Sequence, residues 1–401
     1  MAKLYRMLST LTFPFLKKKL RKRFGDDYIR DRMWHKPHAN GRFDYLIHAA
    51  SVGEQNVVAG VVAELSKMGF RILLTAATDT GLGQAEKKHG NRENVTTCYL
   101  PFDLAGPVKR FFSEVQVEKL VLVETELWPR LILSAKETGT KIFLINGRIS
   151  DDAFKSYLRF SRFLKDTLEA IDSCLVRYEL DKERFQALGV AANRIQVSGN
   201  LKLSSWPEIS PVALKSDNPL MVLGSTRDGE EEVILNEMAD VMKRGKPIPI
   251  FAPRHVERAD EVERLLIDAG LDVVRSRGRE KFDLAPGQAL LVDETGRLLS
   301  FYAACDVCFV GGSLVPRGGQ NFVEPFFFGK PVFTGNSLSN FLDILPVFEP
   351  FITIVDNPRE LAFMLDAFFS SPDVFQGKAR EGQAILEGEK HALTCVMEAL
   401  T

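Results

Sequence analysis

The 401-residue chain predicts an α/β architecture of two doubly wound, Rossmann-like domains facing a cleft, and three observations carry that expectation. The length exceeds the roughly 250–300 residues at which a single core usually stops growing. From residue 43 onward short apolar, β-rich runs alternate with segments of helical length, the pattern of a parallel sheet with helical crossovers. One proline-broken stretch, "SSWPEISPVALKSDNP" from Ser204 to Pro219, interrupts the alternation before it restarts.

Residues 1–24, "MAKLYRMLSTLTFPFLKKKLRKRF", carry eight Lys/Arg and no acid. The apolar part is broken by Ser9, Thr10, Thr12 and Pro14, and no stretch of the chain approaches the ~20 apolar residues that span a bilayer. Nor does the segment have the basic-first, apolar-second order of a signal peptide. An apolar run followed by a cationic cluster suits a basic amphipathic segment lying on an anionic leaflet. A solvated basic helix beside the domain is the plainer alternative.

Residues 25–203 form the first domain, with strands expected in "FDYLIHAA", "RILLTAA", "VTTCYLP", "KLVLVET", "KIFLING" and "SCLVRY". Val57, Val58, Val61, Val62 and Leu65 make one buried helical stripe after the first of these. A linker over 204–219 leads to a second domain over 220–380. Its expected strands are "PLMVLGS", "IPIFAPRH", "LDVVRS", "QALLVDE", "CDVCFVGG" and "KPVFTG", and a C-terminal helix over 381–401 follows.

Composition sets the remaining bounds. Apolar content of 45% and charged content of 26% are those of a soluble globular protein, and a net charge of −1 argues against nucleic acid as partner. Five cysteines, odd in number and in apolar contexts, argue against a disulfide framework and for a reducing, cytoplasmic setting. Cys305 and Cys308 lack the second pair or histidine that would complete a zinc site.

In doubly wound sheets ligands bind beyond the carboxyl ends of strands, so the polar motifs there are the candidates. In "HAASVGEQN", Ser51 and Glu54 fit a capping box, which alone explains Glu54; equally, a carboxylate there can take a proton from an attacking hydroxyl. "VLVETELWPR" places Glu124 and Glu126 at another strand end before Trp128-Pro129. That pattern suits a sugar pocket, and also a helix opened by proline. Arg148 in "INGRIS" and Lys202 in "SGNLKL" are cations that suit an anionic substrate.

In the second domain "LGSTRDGEEE" offers Ser225, Arg227 and backbone N–H groups at a helix start, an anion site without the P-loop spacing. "FAPRHVER" adds Arg254 and His255, and "VDETGRLLSFY" adds Gly296. In "FVGGSLVPRGGQNFVEPFFFGKPVFTG", Gly311, Gly312, Gly318 and Gly319 allow close backbone approach to a ligand. Asn321 and Glu324 are expected to open a helix favouring phosphate, with Glu324 accepting from a ribose diol; an N-x-x-E cap explains only those two residues.

"SVGE", "ETELWP", "GNLKL", "APRHVER" and "FVGGSLVPRGGQNFVEP" together resemble the Kdo (3-deoxy-D-manno-oct-2-ulosonic acid) transferases of lipopolysaccharide synthesis, from the basic N-terminus to about residue 345. The resemblance implies a GT-B glycosyltransferase, peripheral or monotopic on the cytoplasmic face of the inner membrane. It implies inverting transfer of Kdo from CMP-Kdo to the tetraacylated lipid A precursor, with no cofactor and no essential metal. Glu54 would be the general base, with Glu126 and Lys202 stabilising the transition state. Pro253, Arg254, Thr295, Gly296, Arg297, Asn321, Phe322, Val323 and Glu324 would line the CMP-sugar site, and Ser225, Arg148, Gly312 and Gly319 are further candidate contacts. Two departures stand out: Gln320 and Arg297 occupy positions where the family commonly has histidine and glutamate. A nucleotide-sugar epimerase on the same scaffold, or a catalytically silent membrane-bound binding protein, are the alternative readings.

Overall fold

The computed structural model describes residues 2–35, 38–204, 206 and 208–401, with side chains from residue 13 onward in the first helix. The chain forms two compact units, residues 1–205 with 388–401, and residues 206–387.

Unit one holds a seven-stranded sheet of β1 (Gly41–His48), β2 (Ile72–Ala76), β3 (Val95–Tyr99), β4 (Val115–Val123), β5 (Lys141–Gly147), β6 (Ser173–Val176) and β7 (Ile195–Val197). The order is β3-β2-β1-β4-β5-β6-β7 and every pairing is parallel. Alternate residues serve two cores, which is why the strands read as continuous apolar runs. Leu46, Leu120, Leu122 and Leu144 pack on one face, and Ile47, Val121, Val123 and Ile145 on the other.

Among the described residues the helices of the crossovers and the N-terminal region of this unit are α1 (Ala2–Arg32), α2 (Val52–Lys67), α3 (Asp79–His89), α4 (Ala105–Glu114), α5 (Pro129–Glu137), α6 (Asp151–Arg159), α7 (Ser161–Glu169) and α8 (Glu179–Ala187). Helix α2 starts where Ser51 caps the Glu54 N–H, and its Val57, Val58, Val61, Val62 and Leu65 stripe is buried as expected. The span Ala2–Arg32 is divided at Gly25 (φ 87°), whose non-helical backbone follows the basic segment, and in the run beyond it Tyr28 and Ile29 pack on Phe102. In that segment Phe15 and Leu16 are exposed beside Lys17, Lys18 and Lys19; side chains of residues 1–12, the first half of the membrane-facing expectation, lie outside the described residues. Among the described residues no helix is long and apolar enough to cross a membrane.

Unit two contains β8 (Ala213–Lys215), β9 (Leu220–Thr226), β10 (Ile248–Pro253), β11 (Asp272–Arg275), β12 (Lys281–Asp283), β13 (Gln288–Leu291), β14 (Val307–Val310), β15 (Val332–Gly335) and β16 (Ile352–Val355). Seven form a parallel sheet in the order β11-β13-β10-β9-β14-β15-β16, and β8 pairs with β12. The helices are α9 (Glu230–Lys243), α10 (Ala259–Asp268), α11 (Leu298–Ala304), α12 (Leu345–Phe348), α13 (Pro358–Ser370) and α14 (Pro372–Glu389).

Two boundaries differ from the sequence expectation. The segment expected as a linker over 204–219 (205 and 207 lie outside the described residues) contributes β8, because Leu214 sits in register with buried Phe282. The C-terminal region is also not one helix over 381–401. The break falls at Lys390, and α15 (His391–Leu400) belongs to unit one, where Ala392, Val396 and Leu400 join the core that includes Val58 and Val62.

Candidate active site

Strand order reverses between β1 and β4 in unit one, and a doubly wound sheet opens its crevice at such a point, beyond the carboxyl ends of the two strands. The segment after β1 carries Glu54 and the segment after β4 carries Glu124 and Glu126. Glu54 is tied down at both carboxylate oxygens: the Ala50 N–H donates to Oε2 at 2.7 Å and the Ser51 hydroxyl to Oε1 at 2.8 Å. Both the capping-box geometry and a part-exposed acid are therefore present. Burial, then the charge of Glu126 and more weakly that of Glu124, push the Glu54 carboxyl up to about 7 against the Ser51 and Ala50 hydrogen bonds.

Glu126 goes the other way. Burial alone would raise it, but contacts to His48 and Trp128 and the Arg32 guanidinium hold it below the ordinary carboxylate range. Trp128 Nε1 donates to Glu126 Oε2 at 2.6 Å, so the indole orients the acid that precedes it by two residues. Two neighbouring carboxyls pushed apart in this way can serve as proton acceptor and fixed anion at neutral pH.

Glu124 has a different environment. It is buried, with φ 58°, a left-handed conformation that costs a non-glycine residue about 1–3 kcal/mol. The Arg148 guanidinium donates to its Oε2 at 2.8 Å, and Lys202 Nζ lies 3.7 Å from its Oε1. Arg148 and Lys202 thus converge on one carboxylate. The loop bearing Lys202 is held by the Asn146 side chain, which accepts from Leu201 N at 2.9 Å, and by Glu389, which accepts from Asn200 N at 2.6 Å. Asn146 also has positive φ (51°), so strain collects at the ends of β4 and β5.

In unit two a cavity of about 280 Å³ opens at the carboxyl ends of β9, β10 and β13. Ser225 (φ 56°), Pro253, Arg254, His255, Glu294, Thr295 and Gly296 line it. Arg254 is exposed, and Arg227 Nη1 lies 2.7 Å from His255 Nε2, so the rim is cationic and rich in donors. That chemistry suits a phosphate-bearing ligand. Glu324 stands above the ordinary carboxylate range, raised by burial against an Asn321 hydrogen bond (3.1 Å) and the Arg254 charge.

Several expected contacts take another form. Arg297 is outside the cavity lining: its guanidinium bonds Glu280 at 2.9 and 3.1 Å and the Arg279 carbonyl at 3.1 Å. Phe322 and Val323 are buried, with the Phe322 ring packed on Phe341 and Phe348, so only their backbones are available to a ligand. The helix expected after Asn321 is a five-residue 3-10 turn, Glu324–Phe328. Pro325 opens it and Gly329 in the left-handed conformation ends it, leaving no α-helical dipole for a phosphate.

The glycine loop also differs. Gly312 N donates to Glu230 Oε2 at 2.6 Å, and Gly319 N to the Gly312 carbonyl at 2.8 Å, so neither N–H faces a ligand. Gly319 meets Leu338 and Ser337 and Gly318 meets Asn340; these glycines admit neighbouring chain.

Glu230 is a residue that sequence reasoning missed. Wholly buried in the first turn of α9, it accepts from the backbone N–H groups of Arg227, Gly312, Ser313 and Leu314 at 2.6–3.1 Å. The chain's own carboxylate fills the cradle that "LGSTRDGEEE" and "FVGGSL" offered to an anion. The available signal was the run of three glutamates opening a helix beside a glycine loop. His48, buried against Glu126, was likewise hidden within an apolar strand.

A family model described as 3-Deoxy-D-manno-octulosonic-acid transferase (kdotransferase) matches residues 18–205. A bifunctional glycosyltransferase/methyltransferase of Fusobacterium nucleatum is 35% identical over 355 residues, 84% of this chain and 53% of that protein, so the chain spans about half of that relative. The 3-deoxy-D-manno-octulosonic acid transferase of Chlamydia pneumoniae is 31% identical over 357 residues, covering 84% of this chain and 77% of its own length. Among solved structures, a UDP-GlcNAc 2-epimerase from Neisseria meningitidis superposes with a TM-score of 0.54 at 12% identity, covering 89% of this chain and 99% of that one. At that identity the likeness shows the fold alone, and with the two seven-stranded parallel sheets it gives the α/β GT-B fold.

Proposed function

The chain belongs to the 3-deoxy-D-manno-octulosonic acid transferase family, and from that premise we propose that it is an inverting, metal-independent glycosyltransferase moving Kdo from CMP-Kdo to the tetraacyl lipid A precursor. The observation that carries the reading is Glu54, a carboxyl at the switch point of unit one lifted to about 7 and so poised to accept a proton near neutral pH. In this reading Glu54 takes the proton of the acceptor hydroxyl as its oxygen bonds to C2 of Kdo. The bond from C2 to the phosphate oxygen breaks, and its electron pair leaves with CMP.

Glu126 supplies a fixed negative charge that keeps Glu54 basic and is suited to stabilise the electron-poor sugar carbon. Lys202 and Arg148 supply cations. Ser225, Pro253, Arg254, Thr295 and Gly296 hold the CMP moiety, with Arg254 on phosphate; the backbone around Asn321, Phe322 and Val323 and the Glu324 carboxyl complete that site. Arg297 acts indirectly, by fixing the segment after β13. The basic N-terminal helix meets the anionic cytoplasmic face of the inner membrane, where the acceptor resides.

The test is transfer itself. Detergent-solubilised protein, tetraacyl lipid A precursor and CMP-Kdo generated in situ are combined, and the lipid is examined by mass spectrometry. A gain of one or more Kdo units is expected, and a Glu54→Ala variant keeps CMP binding while losing transfer. No gain with wild type, with or without CMP binding, would overturn the proposal.

A further inference from the structure

His48 closes β1 with no exposed surface and stands in register between Thr75 of β2 and Leu122 of β4. Its Nδ1 lies 3.0 Å from Thr75 Oγ1, and its Nε2 lies 3.4 Å from Glu126 Oε2. That second contact is long and poorly aligned for a hydrogen bond, and Nε2 has no other partner. The ring stands edge-on to Trp128 at 6.1 Å between centroids, and Trp128 donates to the same Glu126 oxygen. A histidine retained only for packing gains nothing by aiming a nitrogen at a carboxylate. An unsatisfied buried nitrogen costs about 1–3 kcal/mol, so the arrangement calls for a proton between the two groups.

We propose that His48 is a positioning residue for the transfer reaction, its Nε2–H donating to Glu126 Oε2 so that Glu126 is held ionised and in one orientation by a histidine on one side and an indole on the other. The proposal rests on the reading of Glu126 as part of the transfer site. Two proton arrangements are open to the Thr75–His48 pair, and one of them puts the required proton on Nε2 of a neutral ring. If the Thr75 hydroxyl donates to Nδ1, the neutral ring carries its hydrogen at Nε2. If Thr75 instead donated to the Ile47 carbonyl, 3.3 Å away, Nδ1 would donate to Thr75 and a neutral ring would turn a bare Nε2 lone pair toward the carboxylate, so the pairing requires the first arrangement. The other groups that feel Glu126 are Arg32 from α1, Glu54 from α2 and Tyr157 from α6. With Glu126 fixed and charged, its field on Glu54 is constant, which links a residue outside the substrate's reach to the basicity of the proposed base.

A double-mutant cycle tests this. In the Kdo-transfer assay His48→Leu lowers kcat roughly 10- to 100-fold, as loss of a partner that orients a site residue commonly does, with KM for the CMP donor unchanged. His48→Gln, which keeps a donor, recovers part of the loss. In a Glu126→Gln background His48→Leu costs nothing further. Multiplying losses, or equal loss in both His48 variants, would overturn the proposal.

A second readout does not depend on turnover. The wild-type protein shows a downfield imidazole N–H proton resonance that His48→Gln abolishes and Glu126→Gln moves. Its absence, or its indifference to Glu126→Gln, sinks the pairing. If wild type transfers no Kdo but the resonance is present and moves, the transfer reading fails while the His48–Glu126 pairing stands.

Discussion

Replacing Glu54 by glutamine changes the stability of unit one by an amount that depends on pH and turns stabilising toward alkaline pH. The ordinary carboxyl value of 4.5 rises to about 7 in the folded protein, mainly through burial. The folded chain therefore binds the Glu54 proton more tightly than the unfolded chain does. Wild-type stability from this group is present below about pH 4.5 and is lost as pH rises through about 7. At about 1.36 kcal/mol per pH unit the loss is about 3 kcal/mol at full effect, and nearer 2 where water reaches the carboxylate.

Glutamine cannot ionise, so a Glu54→Gln protein keeps what the wild type loses. A constant offset of about 1 kcal/mol in the other direction is expected, because the amide NH2 replaces an oxygen that accepts from Ser51 or Ala50. The assay is urea denaturation followed by tryptophan fluorescence in a Trp206→Phe background, which leaves Trp34 and Trp128, both in unit one, as reporters. The variant should be equal to or slightly weaker than wild type at pH 4.5 and stronger by about 1–2 kcal/mol at pH 8.5. A gap that does not change with pH, or that widens toward acid, would refute the argument.

Other outcomes follow from the same geometry. Transfer by the wild-type enzyme should rise with pH through a limb near 7 as Glu54 loses its proton, and Glu126→Gln should move that limb toward acid; an unmoved limb separates the two carboxyls electrostatically. Arg254→Ala should weaken CMP binding roughly 10- to 100-fold, the worth of about 1.5–3 kcal/mol for a charged hydrogen bond, whereas Arg297→Ala should leave affinity within about threefold because Glu280 and Arg279 hold its guanidinium; calorimetric titration decides both. Glu230→Ala should lower the stability of unit two by about 3–5 kcal/mol, since four backbone donors lose their acceptor, and thermal unfolding that leaves unit two unshifted would contradict this.

What could be read from the chain was what periodicity and punctuation encode. Continuous apolar strands with helical crossovers gave the two parallel sheets, because burying both faces of a sheet leaves that pattern in any such sequence. Glu54, Glu126, Arg148, Lys202 and Arg254 were visible because they follow strands, where ligands of this architecture sit. The β8–β12 pairing and the return of α15 to unit one were not visible. Both depend on approaches across long sequence separation, Leu214 with Phe282 and Leu393 of α15 with Gly60 of α2, and no local pattern announces them.

The glycine loop of unit two shows why residue type alone misassigns a site. Glycines beside a strand end, an arginine and a following Asn-x-x-Glu read as a cradle for phosphate, and the backbone N–H groups do converge there. The same sequence supplies Glu230, whose carboxylate, packed without exposure, occupies that convergence before any ligand arrives. Four charge-assisted hydrogen bonds offset the cost of burying one carboxylate, and they pin the loop after β14 to the first turn of α9. On the proposed reading anion recognition in this unit therefore falls to side chains, Arg254 with Arg227 and His255, at the mouths of β9 and β10. Glu230 and His48 share a logic. Each is wholly buried and polar, each contacts a loop beyond a strand end, and each turns an irregular segment into a fixed surface on which exposed residues can act.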